Sequence, residues 1–127
     1  MELDEGKLRK VQDSDILHTL ESGIQIQRRK KHEPIGFDDM TQEEIDRRTD
    51  KKNGAKFLPG TTLSRIVEMT CEILMENKAV LGSKDGYTKV YDQAVGVSRG
   101  RRVRAVKVVR SNDGLYAHAF PEDEDRI

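Results

Sequence analysis

Residues 115–120, Leu-Tyr-Ala-His-Ala-Phe, hold the side chain best suited to chemistry in this sequence, the imidazole of His118. Side chains alternate between the two faces of a strand, so Tyr116, His118 and Phe120 are predicted to share one face. An imidazole titrates near neutral pH and can act as a general base or a general acid. Beside basic residues it suits RNA cleavage by 2′-hydroxyl attack, which needs a base, an acid and cations. The alternative is a structural or surface histidine.

Basic residues that could hold a phosphate group lie in two stretches of the chain. The candidates are the consecutive Arg28, Arg29, Lys30 and Lys31, and then Arg102, Arg104 and Lys107, in a region that also contains Arg99, Arg101 and Arg110. On a regular strand Arg102 and Arg104 share a face and Lys107 lies on the other, so all three meet only if a bulge intervenes. The alternative is solvated charge on strands and loops.

Three tyrosines are candidates for stacking on nucleic-acid bases. Tyr87 and Tyr91 lie four residues apart on a predicted strand and share a face, and Tyr116 lies beside His118 on the last strand. Aromatic rings stack on bases with little sequence preference. These rings could equally well only cover the sheet.

Composition and spacing argue against several other kinds of site. The 23 basic and 23 acidic residues balance, so no global field attracts a polyanion, although a basic region and an acidic C-terminus can still act locally. Cys71 is the only cysteine, and the three histidines lack metal-ligand spacing. The glycine-bounded residues 96–100 are not followed by the lysine and hydroxyl residue of a phosphate-binding loop. We therefore expect no metal and no cofactor, and we read Cys71 as a small apolar residue because no histidine is near it in sequence.

The elements that position these residues follow from periodicity. Residues 62–77 have apolar side chains at three- and four-residue spacing, which predicts an amphipathic helix. Residues 13–22 predict a short helix that stops at Gly23, and Ile24 with Ile26 suits a brief strand or an arm. Thr41 and Glu44 form a capping-box pattern. Residues 59–60, Pro-Gly, predict a turn.

The second half of the chain reads as strands. We predict strands over residues 87–91, 101–110 and 115–120, a glycine-bounded connection over residues 96–100, and a tight turn at residues 112–114, Asn-Asp-Gly. Pro121 is expected to end the last strand, because proline cannot donate to a ladder.

Together these elements predict an α+β fold: short N-terminal helices and loops, then one amphipathic helix packed on a three- to four-stranded antiparallel sheet. We expect one domain, with loosely organised helices and a basic arm over residues 1–60, a compact part over residues 61–121 and an acidic tail over residues 122–127. The sequence has neither an apolar run near 18 residues nor a leader-like start, which predicts no membrane association. We expect a cytoplasmic protein, or one delivered into a target cytoplasm if it is a toxin fragment.

The segment of about residues 62–121 resembles the toxin domains of the barnase, EndoU, colicin and RelE-type ribonuclease superfamily. The resemblance covers about half of the chain. It rests on the apolar helix, the glycine-turned strands and the ending His118-Ala119-Phe120-Pro121 after an Asn-Asp-Gly turn. Many members close with Thr-Ala-Tyr-Pro, so His118 stands where a threonine or serine is usual, and Phe120 where the tyrosine is usual.

The resemblance implies a metal-independent, toxin-type endoribonuclease that cleaves by 2′-hydroxyl transesterification. Many such toxins also carry a histidine in or before the leading helix. Here only His32 could fold back to serve, pairing with His118 as acid and base, with Arg102 or Arg104 on the phosphate. RNA, with tRNA as one candidate, would be the substrate, and a cognate immunity or antitoxin protein the partner.

Two further classes stay open. The first is a non-enzymatic nucleic-acid-binding regulator, with Arg28–Lys31 as an arm and the basic strand with its tyrosines as a platform. The second is a protein-interaction module, such as an antitoxin, immunity or phage accessory protein, which zero net charge and few aromatic residues also fit.

Overall fold

A computed structural model describes residues 16–34, 41, 43, 44, 47 and 55–126. The helix is α1 (Leu63–Glu76), and the strands are β1 (Ile16–Thr19), β2 (Gln25–Gln27), β3 (Lys56–Phe57), β4 (Tyr87–Val90), β5 (Gly96–Ser98), β6 (Arg101–Val103), β7 (Ala105–Arg110) and β8 (Tyr116–Glu122). Single 3₁₀ turns lie at Lys30–His32 and Glu124–Arg126. The α+β class is confirmed, with α1 packed against sheet.

Helix α1 confirms the amphipathic helix that periodicity predicts. Its buried residues recur at helical spacing: Ile66, Val67, Met69, Thr70, Ile73 and Leu74. Thr70 is accommodated among apolar neighbours because its hydroxyl donates to the Ile66 carbonyl at 2.7 Å. The helix ends in a Schellman arrangement, in which the Ala79 amide donates to the Leu74 carbonyl at 2.9 Å and the Lys78 amide to the Met75 carbonyl at 3.1 Å.

The strands form a five-stranded sheet in the order β1-β2-β8-β7-β4 and a three-stranded sheet in the order β3-β5-β6. β1 pairs with β2 antiparallel, whereas β2 pairs with β8 parallel, so the larger sheet is mixed. The smaller sheet is antiparallel. The prediction of three to four antiparallel strands is wrong in number and in direction, because strands from the N-terminal part of the chain join the sheet.

The short helix predicted over residues 13–22 is wrong in its described part. Ile16–Thr19 is a strand, joined to β2 by a turn in which the Leu20 amide donates to the Ile24 carbonyl at 2.8 Å. Leu17 is buried on one side of that strand. Pairing with β2 therefore overrides the local helical spacing. Of the two alternatives for the segment with Ile24 and Ile26, the brief strand is confirmed, because Gln25–Gln27 is a strand and both isoleucines are buried.

The long strand predicted over residues 101–110 is broken at Arg104. β6 belongs to the smaller sheet and β7 to the larger. The connection predicted over residues 96–100 contains β5 and the turn into β6. Pro121 does not end β8, which continues to Glu122. The described residue pairs between β2 and β8 end at Ala117. Pro121, which has no amide hydrogen, therefore interrupts no hydrogen bond between these two strands.

The described chain divides into two compact units. Unit one contains residues 16–30, 63–87 and 108–119, and its buried apolar residues include Ile24, Ile73 and Val108. Unit two contains residues 31–34, 41, 43, 44, 47, 55–62, 88–107 and 120–126. Its buried apolar residues include Phe57, Val97 and Val103. The N-cap half of the predicted capping box forms, since the Glu44 amide donates to the Thr41 hydroxyl oxygen at 3.2 Å.

Candidate nucleic-acid interface

The β5–β6 hairpin of unit two carries the most exposed concentration of arginines in the described chain. Ser98 pairs with Arg101, so the loop between the strands has only two residues, Arg99 and Gly100. Both have positive φ, 54° and 79°, as a type I′ turn requires. Glycine adopts this conformation freely, but an arginine does not. Arg99 is therefore held exposed at the tip in a conformation that costs backbone energy.

Strand register places Lys56 and Arg102 on one face of the smaller sheet. Lys56 lies opposite Val97, and Val97 lies opposite Arg102. Directly opposite residues share a face, so the two basic side chains flank Val97, which is 1% exposed. With neighbouring strands about 4.8 Å apart, the backbones of Lys56 and Arg102 lie about 10 Å apart. The Lys56 ammonium donates to the Lys31 carbonyl at 2.6 Å.

Arg101 and Arg104 are paired with carboxylates near the C-terminus. Arg101 Nη2 lies 2.7 Å from Asp125 Oδ2 and 3.3 Å from Asp123 Oδ1. Arg104 Nε lies 3.2 Å from Glu124 Oε1, and the Arg104 amide donates to Glu124 Oε2 at 3.0 Å. We call Asp123, Glu124 and Asp125 the acidic turn. Arg99 and Arg102, by contrast, have no carboxylate partner within the described residues.

These contacts shift the pKa of Arg101 and the pKa of Glu124. The hydrogen bond from Arg101 to Asp125, reinforced by the charge of Asp123, raises the pKa of Arg101. The hydrogen bond from the Arg104 amide is the main cause that lowers the pKa of Glu124, and the backbone amide of Glu124 and then the Arg104 guanidinium lower it further. Glu124 thus satisfies a backbone amide at the point where β6 and β7 separate, and it also binds a side-chain charge.

His32, the expected partner of His118, lies buried in unit two and is 6% exposed. Its Nδ1 lies 2.7 Å from the Ala55 carbonyl oxygen, which can only accept, so Nδ1 carries a proton and donates. The ring stacks on Phe120 with 5.1 Å between centroids. In this conformation His32 is enclosed, which is unfavourable for a group that must exchange protons with a substrate.

His118 lies on β8 in unit one, and the alternation predicted for that strand is confirmed. Ala117 and Ala119 are buried, whereas Tyr116, His118 and Phe120 are half-buried. The imidazole is therefore not enclosed in the hydrophobic interior.

The other predicted residues are more dispersed. Tyr87 is half-buried on β4, and Tyr91 lies beyond its end, where the Tyr91 amide donates to the Arg104 carbonyl at 2.9 Å. The Lys89 ammonium lies 5.3 Å from the centroid of the Tyr91 ring. Lys107 is half-buried on β7. Of the proposed arm, Arg28 and Arg29 follow β2 in unit one, Lys30 begins the 3₁₀ turn, and Lys31 is exposed in unit two.

A cavity of about 890 Å³ in unit one brings together two groups that are distant in sequence, His18 and Cys71. It lies between β1, the following turn and one side of α1. Burial raises the pKa of the Cys71 thiol and lowers the pKa of the His18 imidazole. Both shifts favour the neutral forms, which argues against a thiolate nucleophile at this position.

The sequence patterns place Arg99 only within the wider basic region and do not single out Lys56. The sequence signal for Arg99 is weak, because Gly100 suits the second position of a two-residue hairpin loop but arginine is not typical of the first. Lys56 could not be identified from the sequence, because its position opposite Val97 is a long-range pairing.

Comparison of the chain with protein-family models, with curated proteins and with solved structures finds no match. The resemblance to ribonuclease toxin domains therefore stays a prediction. Within the described ranges, no helix is long and apolar enough to cross a membrane.

Proposed function

We propose that this protein binds single-stranded RNA through the face formed by Arg99, Arg102 and Lys56. The resemblance of the second half to ribonuclease domains favours RNA over DNA as the ligand. A short hairpin that projects basic side chains can follow a phosphate backbone without reading base sequence.

The observation that carries the proposal is the conformation of Arg99. Asparagine or glycine would occupy this turn position with less strain, yet an exposed arginine stands there without an ion-pair partner among the described residues. Strained backbone angles cluster at functional sites, and here the strained residue is an arginine although the turn itself does not require that side chain. Arg102, on the strand that leaves the same turn, supplies a second available cation.

The test is the salt dependence of RNA binding by Arg102→Gln and Arg99→Asn, measured by fluorescence anisotropy with a single-stranded oligonucleotide. Each lost phosphate contact should reduce the slope of log K against log salt by about 0.7. Lys84→Gln is the matched control, because Lys84 is an exposed lysine of unit one without an ion pair in the described chain. Equal weakening by Lys84→Gln and Arg102→Gln would contradict a localised interface.

RNA cleavage is a second candidate function, favoured by the half-buried position of His118 between Tyr116 and Phe120 on one strand face. The imidazole would act as the general base or acid in metal-independent transesterification. His32, which is 6% exposed, would have to become accessible before serving as the partner.

The cleavage experiment uses purified protein with tRNA and with total RNA in EDTA. We expect His118→Ala to abolish cleavage, and His18→Ala, at a half-buried histidine of β1, to retain it. Circular dichroism would establish that both variants fold. Full cleavage by folded His118→Ala would exclude this mechanism and leave RNA binding as the function.

A further inference from the structure

We propose that the acidic turn, Asp123, Glu124 and Asp125, regulates the RNA-binding face by occupying Arg101 and Arg104 in place of phosphate groups. This inference rests on the proposed function. Four arginines lie within six residues of the hairpin region, residues 99–104, and carboxylates hold two of them. The two arginines that pair with carboxylates and the two that have no carboxylate partner among the described residues thus belong to one short segment.

The contacts of the acidic turn resemble those that an RNA backbone would make. A guanidinium binds carboxylate and phosphate oxygens through the same charge-assisted hydrogen bonds. Arg101 contacts two carboxylates, and its side chain is 52% exposed. The side chain of Arg104 is 50% exposed. Exposed ion pairs contribute little stability, so the carboxylate charges can be removed by substitution without unfolding this region.

The turn is built to present its carboxylates. The Asp125 amide donates to Asp123 Oδ1 at 3.0 Å, which closes the turn on itself. Asp123 is buried, although its Oδ1 lies within 3.3 Å of the exposed Arg101 guanidinium. The acidic residues therefore occupy a defined structure against the hairpin, and the turn limits RNA contact to Arg99, Arg102 and Lys56.

The decisive variant is the triple substitution Asp123→Asn, Glu124→Gln and Asp125→Asn. Each amide keeps an oxygen that can accept the backbone hydrogen bonds, while the negative charge is removed. Release of Arg101 and Arg104 should steepen the slope of log K against log salt by about 1.4, for two contacts at about 0.7 each. If wild type and the triple variant bind RNA equally at 1 M salt, this difference in slope corresponds to about 25-fold tighter binding by the variant at 0.1 M salt.

The matched control is the triple variant Glu21→Gln, Asp85→Asn and Asp92→Asn. These carboxylates are exposed and make no ion pair within the described chain, so the control changes net charge equally without touching the arginines. Its affinity should stay within about twofold of wild type. An equal gain in both triple variants would mean that net charge alone governs binding, which would overturn the inference.

Arg101→Gln in the otherwise unchanged chain gives an independent test that does not require the triple variant to fold. Because Asp123 and Asp125 already occupy this guanidinium, Arg101→Gln should leave RNA affinity nearly unchanged, whereas Arg102→Gln weakens binding. Equal losses from Arg101→Gln and Arg102→Gln would show that Arg101 is available to RNA, and the inference would fall while the proposed function stands. Absence of salt-sensitive binding by wild type and by both triple variants would overturn the proposed function, and the inference with it.

Discussion

Lys78 and Arg99 are both basic residues in the left-handed backbone conformation, with φ of 51° and 54°. Lys78 follows α1 in unit one, and its conformation is required by the hydrogen bonds that end the helix. Arg99 occupies the first position of a two-residue hairpin loop in unit two. The backbone cost is similar, but the surroundings differ.

The difference shows that a strained backbone angle does not identify a functional residue by itself. Around Lys78 the helix terminus explains the strain, and the side chain lines a cavity whose polar residues include His18, Glu21 and Glu68. Around Arg99 the turn explains the angle but not the choice of arginine. Arg102 on the adjoining strand gives that choice a reason, because two cations in one short hairpin can contact one phosphate backbone.

The largest expected effect comes from adding a side chain at Gly96, on strand β5 of the hairpin that carries Arg99. A Cβ at Gly96 would lie 2.3 Å from Pro121 Cγ and 2.6 Å from the Lys56 carbonyl oxygen. We expect Gly96→Ala to lower the free energy of unfolding by about 1–3 kcal/mol, since backbone must shift. Urea denaturation measures this change. Gly86→Ala is the control, because there the nearest atom is 3.4 Å away and only ordinary contact results. Equal stability of both variants would contradict the close approach at Gly96.

The next prediction tests the comparison of Lys78 with Arg99 by making the same substitution at both positions. A residue other than glycine in the left-handed conformation costs roughly 1–2 kcal/mol. Asparagine tolerates this conformation better, so Lys78→Asn and Arg99→Asn should each raise the free energy of unfolding by about 0.5–1 kcal/mol. Thermal unfolding measures the gain. RNA anisotropy then separates the two positions, since only Arg99→Asn should weaken binding. Weakening of the same size from Lys78→Asn would remove the functional distinction between them.

The smallest effect concerns the pairing of Glu124 with Arg104. The pKa of Glu124 is lowered in the folded protein, so its stabilising contribution is fully present above the unfolded pKa of about 4.3 and is lost as pH falls through the folded value. Glu124→Gln should therefore be slightly less stable than wild type at pH 7, and the difference should disappear in strong acid. Urea unfolding at several pH values tests this. A difference that persists unchanged at the lowest pH would mean that the charge is not its source.

Local sequence determined the elements whose stabilisation comes from their own residues. The apolar spacing of α1 specifies a helix because every buried position falls on one side. The alternation of β8 specifies which residues flank His118. The turn before β8 is also local, since Asp113 accepts the Leu115 amide at 3.1 Å. Arg102 and Arg104 could likewise be identified as candidate cations from sequence alone, but the single strand predicted to carry both of them is broken at Arg104.

Tertiary structure decided everything that depends on a distant partner. Ile16–Thr19 is a strand because β2 pairs with it, although its local spacing also fits a helix. The valine-rich segment breaks at Arg104, where Glu124, twenty residues away, accepts the Arg104 amide. The same contacts divide the arginines into covered and available ones. Hydrogen bonds and ion pairs between distant residues leave no periodic trace in the chain, so the sequence could list these cations but could not show which of them are open to a ligand.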